Sequence, residues 1–78
     1  MSKLFNKSIS IIGGAGHVGF PLGLVFSSKN FHVTLVDKNQ KNINKINSGK
    51  VPFLEEKSKP LLTASLKKKK IIATNNLY

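Results

Sequence analysis

Three short apolar runs divide the chain, and segments with helical spacing lie between them. The first run covers Lys7 to Ile12, the second is Val33-Thr34-Leu35-Val36, and the third is Ile71-Ile72-Ala73. Continuous apolar character with many β-branched side chains is typical of strands that are buried on both faces of a parallel sheet. The pattern therefore predicts three parallel strands, with helix between each strand and the next.

The intervening segments predict three helices. The first extends from Gly16 to Lys29, and the second from Asn39 to Asn47, where Gly49 is placed to stop it. The third follows Ser58, a capping residue. Apolar residues at helical spacing predict the buried faces of the first helix (Val18, Leu22, Val25 and Phe26) and of the third (Leu61, Leu62 and Leu66). From right-handed crossovers, we expect the first two helices on opposite faces of the sheet.

A glycine-rich segment joins the first strand to the first helix. Gly14, Gly16 and Gly19 have the spacing G-x-G-x-x-G, which is typical of loops that bind the pyrophosphate of a dinucleotide. We expect Gly14 to allow a sharp turn, Gly16 to let a phosphate approach the main chain, and Gly19 to let the helix pack on the strand. The first N–H groups of the helix, with that of His17 among them, would bind the anion. The imidazole of His17 is expected to be solvated.

An acidic residue completes the dinucleotide pattern. Asp37 ends the second apolar run and lies 18 residues after Gly19, about where the pattern places the carboxylate that accepts from the adenosine ribose hydroxyls. A carboxylate there favours NAD over NADP, because it repels a 2′-phosphate and the chain has no arginine to bind one. The alternative is a plain glycine turn with an incidental acid, which the order of strand, loop, helix, strand and acid disfavours.

Length and composition limit the class of protein. Seventy-eight residues allow at most one small domain. The absence of cysteine excludes disulfides and thiolate metal sites, and the two isolated histidines, His17 and His32, predict no metal site. No apolar run approaches the length of a membrane span and no signal peptide precedes the first strand, so we expect a cytoplasmic location without membrane contact.

The chain is strongly basic, with a formal net charge of +10. Such a charge raises the alternative of a small protein that associates with nucleic acid. Against this alternative, the lysines are scattered and arginine, which dominates specific base and phosphate recognition, is absent. The run Lys67 to Lys70 fits a solvated helix C-terminus, where the helix dipole favours cations. Nucleic acid is therefore the less favoured partner.

Several further segments accompany the glycine motif and Asp37. They are Gly-His-Val-Gly-x-Pro-Leu at residues 16–22, the segment 43–49, Pro52-Phe53-Leu54-Glu55-Glu56, and Ala73-Thr74. Together they resemble the N-terminus of the UDP-glucose/GDP-mannose dehydrogenase family, from Ile9 to about Asn76. The resemblance implies the first half of a Rossmann-like, doubly wound α/β fold. Residues 1–78 would form a partial NAD-binding domain, the N-terminal fragment of a longer protein.

The resemblance also implies an activity and its coenzyme. Members of the family use NAD to oxidise the C6 alcohol of a UDP- or GDP-sugar to the uronate, for polysaccharide biosynthesis. Asp37 would bind the adenosine ribose, and Thr74 would contact the coenzyme near its middle, although an ordinary strand-end residue is an equal interpretation of Thr74. The implied coenzyme-binding residues are Gly14, Ala15, Gly16, His17, Val18, Gly19, Asp37 and Thr74.

No catalytic residue is assigned within the chain. The family forms a thiohemiacetal on a cysteine, and this chain has none. Glu55 and Glu56 are interpreted as loop residues and not as a general acid and base. The nucleotide sugar is thus a partner expected only of a full-length protein.

Three positions depart from the family pattern: Asn42, where relatives often have a basic residue, Lys57, where glycine is usual, and Asn76, where aspartate is common. Three functions stay open. The first is a truncated dehydrogenase segment that is inactive alone, the second is a stand-alone nucleotide-binding module completed by another chain, and the third is a nucleic-acid-associated protein. The first strand would present an unpaired edge, which favours association.

Overall fold

The computed structural model describes residues 7–53 and 57–76. Its elements in chain order are β1 (Ser8–Ile12), α1 (Gly19–Ser28), β2 (His32–Val36), α2 (Gln40–Asn47), α3 (Lys59–Lys67) and β3 (Ile71–Thr74). The strands form one sheet in the order β1-β2-β3, and both strand pairs are parallel. The predicted α/β architecture, three parallel strands with flanking helices, is confirmed.

The helices are shorter than the sequence predicts. The first begins at Gly19 and not at Gly16, because the residues between β1 and Gly19 form turns. The second begins at Gln40, after Asn39, whose side chain accepts from the backbone N–H of Asn42 and so caps the helix. The longest of the described helices has 10 residues, and none of them has the length and hydropathy of a membrane span.

The buried face of α1 differs from the predicted one. Val18, Leu22 and Val25 are 81%, 46% and 48% exposed, so the predicted apolar stripe faces outward. Of that stripe, Phe26 alone packs against the core, and it is partly buried. The buried residues of α1 are Gly19, Phe20, Gly23, Leu24 and Ser27.

Glycine explains why α1 turns this side to the sheet. A Cβ at Gly23 would lie 2.6 Å from the Cδ2 atom of Leu35 on β2, so the helix backbone lies directly against the strand. Phe20 and Leu24 flank this contact and are fully buried. Because the α1 backbone approaches β2 closely at Gly23, more atoms of the helix and the sheet are in contact than if the exposed stripe faced the sheet. The number and spacing of apolar residues do not predict this close approach.

The expectation that α1 and α2 lie on opposite faces of the sheet is wrong. The core contains Phe20 and Leu24 of α1, Ile43 and Ile46 of α2, Leu62 of α3, and the strand residues Val33, Leu35, Ile71 and Ala73. Val33 is paired with Ile71 and Leu35 with Ala73, so these strand residues share one face. On the other face Ile12 and Ile72 are 68% and 55% exposed. Both right-handed crossovers advance in the same direction across the sheet, which places the helices on a single face.

The two edges of the sheet differ. At the β3 edge, the Asn47 side chain donates to the Ala73 carbonyl oxygen (2.8 Å) and accepts from the Ala73 N–H (2.9 Å). This amide takes the hydrogen bonds that a further strand would make. Within residues 7–53 and 57–76, β1 has a strand neighbour on one side only. Association through the β1 edge stays a prediction.

Phe20→Ala should destabilise the chain far more than Leu22→Ala. The Phe20 ring is fully buried, and its removal leaves a cavity that costs about 3–5 kcal/mol. Leu22 is 46% exposed, so its truncation should cost no more than about 1 kcal/mol. Urea unfolding followed by circular dichroism measures both values. The reverse ranking would mean that the sequence-predicted stripe is the buried one.

Candidate functional site

The loop that follows β1 is fixed to the end of β2 by its own backbone. The N–H groups of Gly13 and Gly14 both donate to the Val36 carbonyl oxygen, at 2.7 and 3.0 Å. Gly13 has a φ of 74°, a left-handed conformation that favours glycine, so the sharp turn predicted for Gly14 is made at Gly13. A Cβ at Gly14 would lie 2.6 Å from Leu35 Cβ and 2.8 Å from the Ile11 carbonyl oxygen. Gly14 therefore allows the loop to contact β2.

The other two glycines of the motif have separate roles. A Cβ at Gly19 would overlap the Gly13 carbonyl oxygen and lie 2.9 Å from Gly14 Cα, so Gly19 lets the helix start contact the loop. A Cβ at Gly16 would have one near neighbour, the Gly13 carbonyl oxygen at 3.3 Å. Packing within the chain therefore requires Gly14 and Gly19. Gly16 is less crowded than Gly14 and Gly19, although a Cβ there would still require a small shift of the Gly13 carbonyl oxygen.

Three N–H groups at the start of α1 are available to an anion. Within the part of the chain that the structure describes, those of His17, Val18 and Gly19 donate no hydrogen bond. The N–H groups of Gly14 and Ala15 are already bonded, to Val36 and Asp37 respectively. The free N–H groups can therefore bind a phosphate, but they belong only to the last three residues of the six-residue segment predicted to bind the coenzyme.

Asp37 lies against this loop. Its carboxylate accepts from the Ala15 N–H through Oδ2 (2.9 Å) and from the Asn39 N–H through Oδ1 (3.0 Å). The Asn39 bond, followed by those from the N–H groups of Ala15 and Lys38, lowers the pKa of Asp37 below its usual value, although partial burial opposes the shift. The carboxylate is thus ionised at neutral pH. Each oxygen retains a lone pair that can accept from a further donor.

Thr74 is next to Asp37 through the main chain. The Asp37 N–H donates to the Thr74 carbonyl oxygen (3.0 Å), and the Thr74 hydroxyl accepts from the Asn76 N–H (3.1 Å). The ends of β2 and β3 are joined in this way. Thr74 therefore has a structural use in the site's scaffold, and its contact with a coenzyme stays a prediction.

A cleft of about 290 Å³ opens at the carboxyl edge of the sheet, beside the loop. It is lined by Ile12, Gly13, Val36, Asp37, Lys38 and Asn75. Of these, the sequence analysis predicted only Asp37 as a site residue and missed Ile12, Gly13, Val36, Lys38 and Asn75. Their position along the chain could have identified them, since each lies at or just after the end of a strand, where ligands of open α/β sheets bind.

A larger cavity of about 500 Å³ lies at the opposite end of the strands. Its lining includes His32, Lys69, Lys70 and the apolar side chains of Leu66 and Ile72. It contains neither the glycine loop nor a carboxylate, and it is at the amino edge of a parallel sheet. The smaller cleft is therefore the better candidate for a ligand site, despite its volume.

The side chain of His17 is exposed, which is consistent with the predicted solvated imidazole. The sequence did not predict that its ring stacks on Phe53, with the ring centroids 4.0 Å apart and the planes inclined by 20°. Phe20 meets the same Phe53 ring edge-on at 6.0 Å. The segment before residue 54 is thereby attached to the loop. Glu55 and Glu56 lie outside the described residues.

The NAD-binding domain model of the UDP-glucose/GDP-mannose dehydrogenase family matches residues 7–78. The chain belongs to this family. The resemblance read from the glycine motif, Asp37 and the Pro-Phe segment is thus confirmed, and so is NAD as the coenzyme of the matched domain. No match was found among the curated proteins.

Solved structures of three nucleotide-sugar dehydrogenases have the same fold as the chain. GDP-mannose dehydrogenase from Pseudomonas aeruginosa is 30% identical, with a TM-score of 0.80 over 86% of this chain. UDP-N-acetyl-mannosamine dehydrogenase from Staphylococcus aureus is 23% identical, with a TM-score of 0.83 over 90%. UDP-glucose dehydrogenase from Pyrobaculum islandicum is 20% identical, with a TM-score of 0.82 over 91%. The chain spans 15%, 17% and 16% of their respective lengths. The Rossmann-like fold class is confirmed.

Proposed function

We propose that this chain is the coenzyme-binding N-terminal segment of a nucleotide-sugar 6-dehydrogenase and that it binds the adenosine and pyrophosphate parts of NAD. Residues 1–78 are then part of an NAD-binding domain. One observation carries the proposal: the Ala15 N–H donates to the Asp37 carboxylate, so the glycine loop and the only acid among the described residues form one site.

The residues have distinct roles in this proposal. The free N–H groups of His17, Val18 and Gly19 bind the pyrophosphate, with the positive end of the α1 dipole behind them. Asp37 accepts from the adenosine ribose hydroxyls through its remaining lone pairs. Gly14, Ala15 and Thr74 hold the loop and the carboxylate in place, and Gly16 leaves room for the phosphates.

The reaction proposed for the whole protein is oxidation of the C6 alcohol of a UDP- or GDP-sugar to the uronate. Bound NAD supplies the hydride acceptor for that reaction. This chain's residues bind and orient the adenosine end, and none of them is assigned to the chemistry, so we propose that the chain is inactive alone. The alternative of a module completed by another chain uses the same site and the open β1 edge. A cytoplasmic location stays a prediction.

Gly16→Ala tests the proposal, because Gly16 is the least crowded of the three glycines of the motif. The new methyl group needs only a slight shift of the Gly13 carbonyl, so the thermal midpoint should stay close to that of the original chain. A phosphate approaching the backbone would meet the methyl group, and we expect roughly 10- to 100-fold weaker binding of NAD and ADP-ribose. Calorimetric titration measures the affinities.

Adenosine is the matched control ligand, since it lacks phosphate and should bind the variant and the original chain equally. Equal NAD affinity for a folded Gly16→Ala variant would contradict binding of the pyrophosphate at this loop.

A further inference from the structure

Four hydrogen bonds form a closed ring that links the glycine loop, the end of β2 and the start of α2. The Ala15 N–H donates to Asp37 Oδ2 (2.9 Å), and the Asn39 N–H donates to Asp37 Oδ1 (3.0 Å). The Asn39 side-chain oxygen accepts from the Asn42 N–H (3.1 Å). The Asn42 side-chain amide then donates to the Ala15 carbonyl oxygen (3.3 Å). The path is a closed ring of four residues.

Asn42 is the member of this ring whose side chain is not explained by helix formation. Its backbone N–H already has the Asn39 cap, so α2 does not need the Asn42 amide in order to begin. Asparagine also forms helix less readily than alanine, so its presence here costs the helix some stability. The amide instead reaches Ala15, which is 1% exposed. The side chain therefore acts on the loop.

Ala15 is held from two directions as a result. Its N–H is bound by Asp37 at the end of β2, and its carbonyl oxygen is bound by Asn42 from the first turn of α2. The peptide groups on either side of Ala15 cannot rotate unless one of these bonds breaks. The three free N–H groups proposed to bind phosphate begin two residues later, after Gly16, whose N–H donates to the Gly13 carbonyl oxygen (3.1 Å), so Ala15 is one of the residues that set their direction.

We propose that Asn42 is a positioning residue of the coenzyme site, which fixes Ala15 through its carbonyl oxygen and thereby holds the glycine loop against Asp37. This inference rests on the proposed function, because it concerns the loop and the carboxylate assigned to NAD. A loop that is ordered before the ligand arrives loses less conformational entropy on binding. Without the Asn42 amide, Ala15 is held through its N–H alone, although the bonds from Gly13 and Gly14 to Val36 remain.

The first test compares affinity with stability in Asn42→Ala. Calorimetric titration with NAD and ADP-ribose should give roughly 3- to 10-fold weaker binding, the effect of one neutral hydrogen bond. The thermal midpoint should change little, because the helix propensity gained with alanine offsets the long bond lost at the Ala15 carbonyl oxygen (3.3 Å). Asn44→Ala is the matched control, since the Asn44 side chain accepts from Gln40 on the same helix (2.8 Å) and does not contact the loop. It should keep the original affinity.

A double-mutant cycle with Asp37→Ala, which removes the acceptor of the Ala15 N–H, shows whether Asn42 acts through the ring. If it does, Asn42→Ala should weaken binding little further once Asp37 is replaced. Fully additive losses of affinity would overturn the positioning role. Unchanged affinity in Asn42→Ala, together with weak binding in Asp37→Asn, would also overturn it, but this second result would leave the proposed coenzyme site intact. Unchanged affinity in Asp37→Asn would remove the proposed function and this inference together.

A purely structural role for Asn42 predicts a different result. The thermal midpoint of Asn42→Ala would then fall together with its affinity, and that parallel loss would overturn the positioning role. Asn42→Gln provides a second variant, because it keeps the amide donor on a longer side chain. It should recover part of the affinity lost in Asn42→Ala, and no recovery in a folded Asn42→Gln chain would count against the Ala15 bond.

Discussion

Gly14→Ala should leave most of the chain unfolded at a temperature where Gly16→Ala is folded. The new Cβ would lie 2.6 Å from Leu35 Cβ and 2.8 Å from both Leu35 Cα and the Ile11 carbonyl oxygen. Backbone atoms of two strands cannot move aside as a flexible side chain can. We expect a loss of about 3 kcal/mol or more, the upper range for overpacking. A domain of this length rarely has more than about 3–5 kcal/mol of stability.

Thermal and urea unfolding followed by circular dichroism give the stability of both variants. The pair is matched, since the same substitution is made two residues apart in the same loop. A Gly14→Ala chain that unfolds at the original midpoint would contradict the close contact between the loop and β2. An equal loss in Gly16→Ala would contradict the lower crowding at that position.

Asp37→Ala should weaken both coenzyme binding and the fold. Hydrogen bonds to an ionised carboxylate contribute about 1.5–3 kcal/mol, so we expect roughly 10- to 100-fold lower affinity for NAD and ADP-ribose. The substitution also removes the acceptor of the Ala15 N–H, and Ala15 is 1% exposed. A buried donor without a partner costs about 1–3 kcal/mol. The variant should therefore bind weakly and unfold at a lower midpoint.

Asp37→Asn separates these two effects. Its amide oxygen can accept from the Ala15 N–H or the Asn39 N–H, but not from both as the carboxylate does, so the variant should keep more of the stability than Asp37→Ala while the charge is lost. The variant should bind NAD weakly and should discriminate less between NAD and NADP, because the repulsion of a 2′-phosphate is removed. Calorimetry with both coenzymes measures this ratio. Unchanged affinity for NAD would show that Asp37 does not bind the ribose.

The same variant gives the pH dependence of stability a definite sign. The hydrogen bonds to Asp37 lower its pKa in the folded chain, so the folded state favours the ionised form more than the unfolded state does. The stabilisation is complete above the unfolded pKa of about 3.9 and is lost as the pH falls through the lower folded value. Asparagine does not titrate. Asp37→Asn should therefore show a smaller loss of stability below about pH 4 than the original chain.

Sequence patterns were sufficient to predict the strands and helices and the proximity of the glycine loop to Asp37. The three strands follow from apolar runs rich in β-branched residues, which favour extended backbone, although the helices cover one face of the sheet and Ile12 and Ile72 on the other are exposed. The contact of Asp37 with the glycine loop follows from adjacency, since β1 and β2 are neighbours and their carboxyl ends meet at one edge. These features depend on short-range order along the chain, and a single sequence contains that information.

Contacts between distant segments decided the rest. The face that α1 buries depends on how closely Gly23 approaches Leu35, and the side of the sheet that α2 takes depends on strand order. The separate roles of the glycines depend on which atoms surround each one. Residue spacing predicts neither the stacking of His17 on Phe53 nor the hydrogen bond from Asn42 to Ala15. Local composition determines which elements form. The packing of atoms from separate elements determines which faces meet, and tertiary structure alone sets that packing.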